Sequence, residues 1–198
     1  NETFVIRGNL GINSIDIQAG PGNDVLRYEF PMPPFTRRHP ITFDGGAGQN
    51  RFDFVTKFGA FATLSPTQFT LGLDTYPPSI DLANVQTANI TGSSDGDVFI
   101  LNGWWKNAHF EGGGSLDYLY VGAPVAFING PPQAPSGTVR MAFPNRPQGL
   151  ATYSNFSFTH NQSSTGQTFI QSLFLNMRGE TLNSAQISRI YSQRSEEH

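Results

Sequence analysis

Two kinds of residue in this 198-residue chain could do chemistry: carboxylates set beside glycine turns, and the tryptophan pair Trp104 and Trp105. The pair lies in a short loop between two apolar runs, next to Lys106 and Asn107. An exposed indole there can stack on a sugar ring or anchor a partner protein, whereas one folded inward would pack on the neighbouring repeat. Asp24, Asp97 and Asp117 each close a glycine turn, GPGND at 20–24, GSSDGD at 92–97 and GGGSLD at 112–117, while GGAGQN at 45–50 closes on Asn50. Short polar side chains at such positions cap turns by bonding nearby backbone. Acid–base chemistry on a polysaccharide would need carboxylates, or a carboxylate with Lys or Arg, clustered on one face. The available set is Asp16, Asp44, Asp53, Asp81, Glu111, Arg51 and Lys57. Asp44 and Glu111 immediately precede turn glycines and Asp16 sits inside a strand, so the repeat does not align them in one column, and no catalysis is expected. His39, His109, His160 and His198 are scattered, with no H-x-H or H-x-x-x-H pair and no G-x-S-x-G elbow.

Positioning these residues falls to β-structure. The chain holds 21 glycines, 14 prolines and 17 phenylalanines with only 14% charged residues, a balance of frequent reversals and aromatic strands. Ile15 and Ile17, Ile41 and Phe43, Phe52 and Phe54, and Leu119 and Val121 are i, i+2 pairs that share one strand face. Asp97–Gly122 is the best-preserved unit of a repeat, and Glu2–Tyr28 matches it in order, Phe4 with Phe99, Ile17 with Phe110, Asp24 with Asp117 and Leu26 with Leu119. Asp24–Asn50 is a further copy carrying a proline-rich insertion at 31–40, and Asn50–Asp97 is long enough for two degenerate copies. A period of about 20 to 26 residues is that of a solenoid, whose units bury their apolar faces only by stacking. The expected fold is therefore all-β, a right-handed parallel β-helix (β-solenoid). The alternative is an antiparallel β-sandwich of about ten short strands.

After Gly122, prolines at 131, 132, 135, 144 and 147 confine strands to short or edge positions, so the last units and longer loops are expected there. QSSTG at 162–166 reads as a linker. Beyond it the period changes: Phe169, Ile170, Leu173, Phe174 and Met177 form a helical stripe with Gly179 at its end, and Asn183 or Ser184 would cap a second helix bearing Ile187, Ile190 and Tyr191. Two domains follow: a repeat domain at 1–161, and a linker with a short C-terminal helical segment at 162–198 that caps the solenoid or opens a helical module.

A net charge of −3 gives no electrostatic basis for nucleic-acid binding. With no cysteine there is no disulfide framework or thiol chemistry, and the chain lacks an apolar run long enough to span a membrane. The opening NETFVIRG reads as the middle of a repeat, with any export signal expected upstream in a longer chain.

The segments DVFILNG, LANVQTANITGS and FEGGGSLDYLYVG, within residues 1–122, resemble the repeats of very large secreted or surface-anchored bacterial exoproteins of adhesin-like and autotransporter-like type. FIQSLFLNMRGETLNSAQI resembles a short helical repeat of unknown function that follows such arrays, with Arg178 and Gly179 in reversed order. The glycine turns are similar to the loops of RTX rolls, which implies calcium held between stacked turns, with Asp95 and Asp97 as first ligands and Asp24 and Asp117 beside them. The resemblance implies an extracellular or cell-surface structural and adhesive module without catalysis. Its partner would be another protein or a cell-surface glycan, contacted through Trp104 and Trp105. Two alternatives stand beside it: a carbohydrate-binding or carbohydrate-modifying β-helix, and an assembly subunit that self-associates through its solenoid ends.

Overall fold

A computed structural model describes residues 1–7, 14–30, 40–72, 79–114, 117–122, 125–129, 135–141, 146 and 148–161. All of them belong to the first of two units into which the chain divides, Asn1–Asn161, the second being Gln162–His198. The linker and helical segment expected at 162–198 lie outside the described residues, as does most of the insertion at 31–40.

The described residues are all-β, and no helix occurs among them. In chain order the strands are β1 (Thr3–Arg7), β2 (Ile15–Gln18), β3 (Val25–Phe30), β4 (Ile41–Asp44), β5 (Arg51–Thr56), β6 (Phe61–Leu64), β7 (Gln68–Leu71), β8 (Ser79–Ala83), β9 (Thr87–Thr91), β10 (Val98–Leu101), β11 (Asn107–Glu111), β12 (Tyr118–Val121), β13 (Val125–Asn129), β14 (Gly137–Met141), β15 (Gly149–Ser154) and β16 (Phe158–Asn161).

They form two eight-stranded sheets. Sheet I has the order β1-β3-β5-β9-β11-β15-β14-β13 and sheet II the order β16-β12-β10-β6-β7-β8-β4-β2. From β1 to β6 and from β8 to β13 the chain crosses to the other sheet at every step; β1, β3, β5, β9 and β11 pair successively in parallel on sheet I, as do β2 with β4 and β10 with β12 on sheet II. Each sheet also contains one excursion that never leaves it. In sheet II, β6, β7 and β8 pair antiparallel, and in sheet I, β13, β14 and β15 do the same. Both sheets are consequently mixed, neither wholly parallel nor wholly antiparallel.

The first excursion corrects the expectation of two degenerate units in Asn50–Asp97. Phe61–Leu64 and Gln68–Leu71 are arms of a hairpin closed at Ser65–Thr67, where the Ser65 N–H donates to the Gln68 carbonyl at 2.8 Å. The outer strands of this excursion then rejoin the parallel neighbours on either side, β6 beside β10 and β8 beside β4.

Alternation explains which side chains meet. On sheet I, Phe4, Leu26, Phe52, Ala88, Ala108 and Ala151 occupy one cross-strand row, and Ile6, Tyr28, Phe54, Ile90, Phe110 and Tyr153 occupy the next row on the same face. On sheet II the inward residues include Phe43, Leu82, Phe69, Leu64, Phe99 and Leu119. The two inward faces meet in one core, where Phe54 of sheet I lies 4.7 Å from Phe69 of sheet II, ring centroid to centroid, and 6.4 Å from Phe99. Residues between these positions face outward and are mostly polar: Arg27, Asp53, Asn89 and His109 share one outer row of sheet I, with Val5 at its end.

The repeat alignment was half a unit out of phase. Phe4 does not share a column with Phe99; it pairs with Leu26 on sheet I, while Phe99 pairs with Leu119 on sheet II. Asp24 and Asp117 likewise stand at different crossings, Asp24 leading into sheet I and Asp117 into sheet II.

Candidate functional site

The turn aspartates are built into the fold by backbone donors. At the crossings that lead into sheet I, a ladder runs from turn to turn: the Glu2 N–H donates to Asp24 Oδ1 at 2.6 Å, the Asp24 N–H to Asn50 Oδ1 at 2.9 Å, and the Asn50 N–H to Gln86 Oε1 at 2.7 Å. A second ladder lies beside it, with the Asn23 N–H donating to Asn1 Oδ1 and the Gln49 N–H to Asn23 Oδ1. At crossings into sheet II, the Ala60 N–H donates to Asp97 Oδ1 at 2.7 Å and the Asp97 N–H to Asp117 Oδ1 at 2.9 Å. Asp97 Oδ2 also accepts from the N–H and the hydroxyl of Ser93, and Asp117 Oδ2 accepts from the Gly114 N–H. Each side chain thus satisfies a donor that a tightly stacked turn leaves without a ladder partner.

Asp24, Asp97 and Asp117 are buried and Asp95 is exposed; Asp97 and Asp117 are neighbours at the crossings into sheet II, whereas Asp24 stands at a crossing into sheet I. No group of three or more His, Asp or Glu side chains in metal-holding geometry occurs among the described residues. Burial dominates at Asp97 and, with the nearby charge of Asp117, outweighs the Ser93 and Ala60 hydrogen bonds, pushing its carboxyl up to about 6. Asp24 Oδ2 is a buried oxygen with no hydrogen-bond partner.

The other carboxylates divide between the outer faces. On sheet I, Arg51 holds Asp53 through two bonds of 2.8 and 2.9 Å, and Asn89 adds a third. Glu111 accepts from Ser154 and Asn155. Glu29 bonds Arg7 and Arg27, which hold its carboxyl down at about 2. On sheet II, Asp16, Thr42, Asp81 and Gln68 form one outward row, in which Gln68 donates to Asp81 at 2.8 Å. Asp44, next to that row, accepts from Asn84 and the Gly46 N–H, which lower its pKa. Asp16, Asp44 and Asp81 therefore lie on neighbouring strands, a proximity the faulty phase concealed, whereas Asp53 and Glu111 lie on the opposite sheet. Lys57 is exposed at the crossing after β5.

The tryptophans part company. Trp104 is fully buried in the core and donates its indole N–H to the Asn107 carbonyl at 3.1 Å, so it offers no surface to a ligand. Trp105 is half-buried and faces a groove of about 510 Å³ lined also by Lys106, Arg146, Pro66, Thr67, Thr42 and the Asp81–Asn84 stretch. Lys106 Nζ stands 5.0 Å from the Trp105 ring centroid and the Arg146 guanidinium 5.1 Å from it. Burial, helped by the charge of Arg146, lowers the pKa of Lys106. Neither cation is paired with a carboxylate among the described residues. Sequence reading found Trp105 but missed Arg146, Asp81 and Asn84 as its companions. Arg146 lies within the second antiparallel excursion, between β14 and β15, and no local pattern links it to Trp105.

No protein-family model, curated protein or solved structure matches this chain.

Proposed function

We propose that the chain is a structural and adhesive repeat module of a large secreted or surface-anchored bacterial protein, built as a right-handed parallel β-helix interrupted by two hairpins, and that it binds without transforming its ligand. The observation that carries this reading is turn-on-turn stacking. Hydrogen bonds do not stop at strand ends but continue around the corners, as in Ala19 N–H to the Asp44 carbonyl, Gly22 N–H to the Ala47 carbonyl and Gly45 N–H to the Ala83 carbonyl. Stacked corners of this kind yield a stiff, elongating scaffold with few mobile loops, suited to displaying a binding surface away from a cell. The exoprotein resemblance of the DVFILNG and FEGGGSLDYLYVG segments supports the extracellular setting.

A second reading, carbohydrate binding, is favoured by the Trp105 groove, which combines an aromatic ring with hydroxyl, amide and charged groups around an open cleft. The outer-face carboxylates of sheet I are engaged by Arg, Ser or Asn partners, which favours binding over bond cleavage there. Incubation with a panel of cell-envelope polysaccharides tests the division. Binding with no change in chain length is expected, and release of new reducing or unsaturated ends would overturn the non-catalytic reading.

A further inference from the structure

We infer that the Trp105 groove recognises a saccharide bearing a single carboxylate, held by Lys106 and Arg146, which deepens and rests on the carbohydrate reading above. Two cations converge on one indole at 5.0 and 5.1 Å, and no carboxylate among the described residues neutralises either. Like charges gathered without a counter-ion are relieved by an incoming anion, and charge-assisted bonds to a planar carboxylate suit a guanidinium beside an ammonium.

The groove floor decides what surrounds that anion. It is the outer face of sheet II, where Asp81 and Asn84 stand close to Thr42, and Asn84 also bonds Asp44. Asp81 on the floor, with Asp44 held behind it by Asn84, repels a densely charged polymer such as a polyphosphate or nucleic acid. Mixed donors and acceptors of this kind match the vicinal hydroxyls of a sugar ring. An extended peptide is disfavoured on separate grounds: β4 is paired on both sides by β2 and β8, and β8 on both sides by β4 and β7, so the floor has no free strand edge for a peptide to extend.

The experiment is titration of residues 1–198 with a trisaccharide containing one uronate residue, its methyl ester and an oligoglutamate, followed by tryptophan fluorescence and calorimetry. Since Trp104 is buried, Trp105→Phe identifies the responding indole. The trisaccharide is expected to bind about tenfold or more tightly than its ester, with a similar loss in Arg146→Gln and Lys106→Gln. Arg146 is exposed, so Arg146→Gln is expected to keep the wild-type melting temperature. Equal binding of acid and ester would overturn the carboxylate inference and leave carbohydrate binding standing. Absence of binding by either would overturn both. Tight binding insensitive to all three substitutions, or stronger binding of oligoglutamate, would overturn the assignment of this groove to an acidic sugar.

Discussion

The Asp24 N–H donates to Oδ1 of Asn50 at 2.9 Å, while Nδ2 of the same Asn50 donates to the Gly46 carbonyl at 3.2 Å and the Asn84 carbonyl at 2.9 Å. One buried amide therefore joins three successive turns and needs both its acceptor and its donor. This explains why asparagine stands where the other glycine turns carry aspartate. A carboxylate there would face two carbonyl oxygens. Asn50→Asp is expected to lose about 2–4 kcal/mol at neutral pH. The introduced carboxyl would have a raised folded-state pKa, so its best stability lies in acid and is lost as pH rises. Urea denaturation at pH 4 and pH 7.5 checks this, with the gap to wild type wider at pH 7.5.

Asp97 gives a related prediction in the native chain. Its carboxyl is pushed up from 3.8 to about 6, chiefly by burial. A folded pKa above the unfolded one stabilises fully below about pH 3.8, and that contribution disappears as pH rises through about 6. A shift of this size corresponds to roughly 2–3 kcal/mol between the limits. The difference in unfolding free energy between wild type and Asp97→Asn, measured from pH 3.5 to 7.5, should move by that amount in favour of the variant. A pH-independent difference would contradict it.

Close stacking of turns also predicts unequal glycine substitutions. At Gly46 (φ +65°) a Cβ would lie 2.1 Å from the Gly20 carbonyl oxygen, whereas at Gly20 (φ +81°) it would meet open space. Gly46→Ala is expected to destabilise by about 3 kcal/mol or more, and Gly20→Ala by only about 1 kcal/mol, the cost of backbone strain alone. Thermal melts of the two variants decide it.

Because backbone donors already occupy oxygens of Asp97 and Asp117, the turns are expected to hold without calcium. The melting temperature should differ by less than about 1 °C between millimolar calcium and chelator. A larger rise with calcium would support cation binding at Asp24, Asp95, Asp97 and Asp117.

Much of the strand pattern was legible because burial imposes a period of two, as at Phe52 and Phe54. The phase was not, because both halves of each unit spell the same message: an apolar strand, a glycine turn, and a short polar residue before the next strand. Either half aligns with the other, which set Asp24 against Asp117. The hairpin at Phe61–Leu71 was hidden for a similar reason, since a strand reads alike whether its neighbour runs parallel or antiparallel. Of the site, Trp105 was visible as a residue type. Which of two adjacent tryptophans faces solvent, and the arrival of Arg146, depend on tertiary packing.

The most direct test of an adhesive module acting through its groove is retention under flow. Beads carrying residues 1–198 should be held on a surface coated with bacterial or host cell-envelope glycans, and beads carrying Trp105→Ala should wash away while keeping the wild-type melting temperature within about 3 °C. Equal retention of the two, or no retention of the wild type on any glycan surface, would contradict the account.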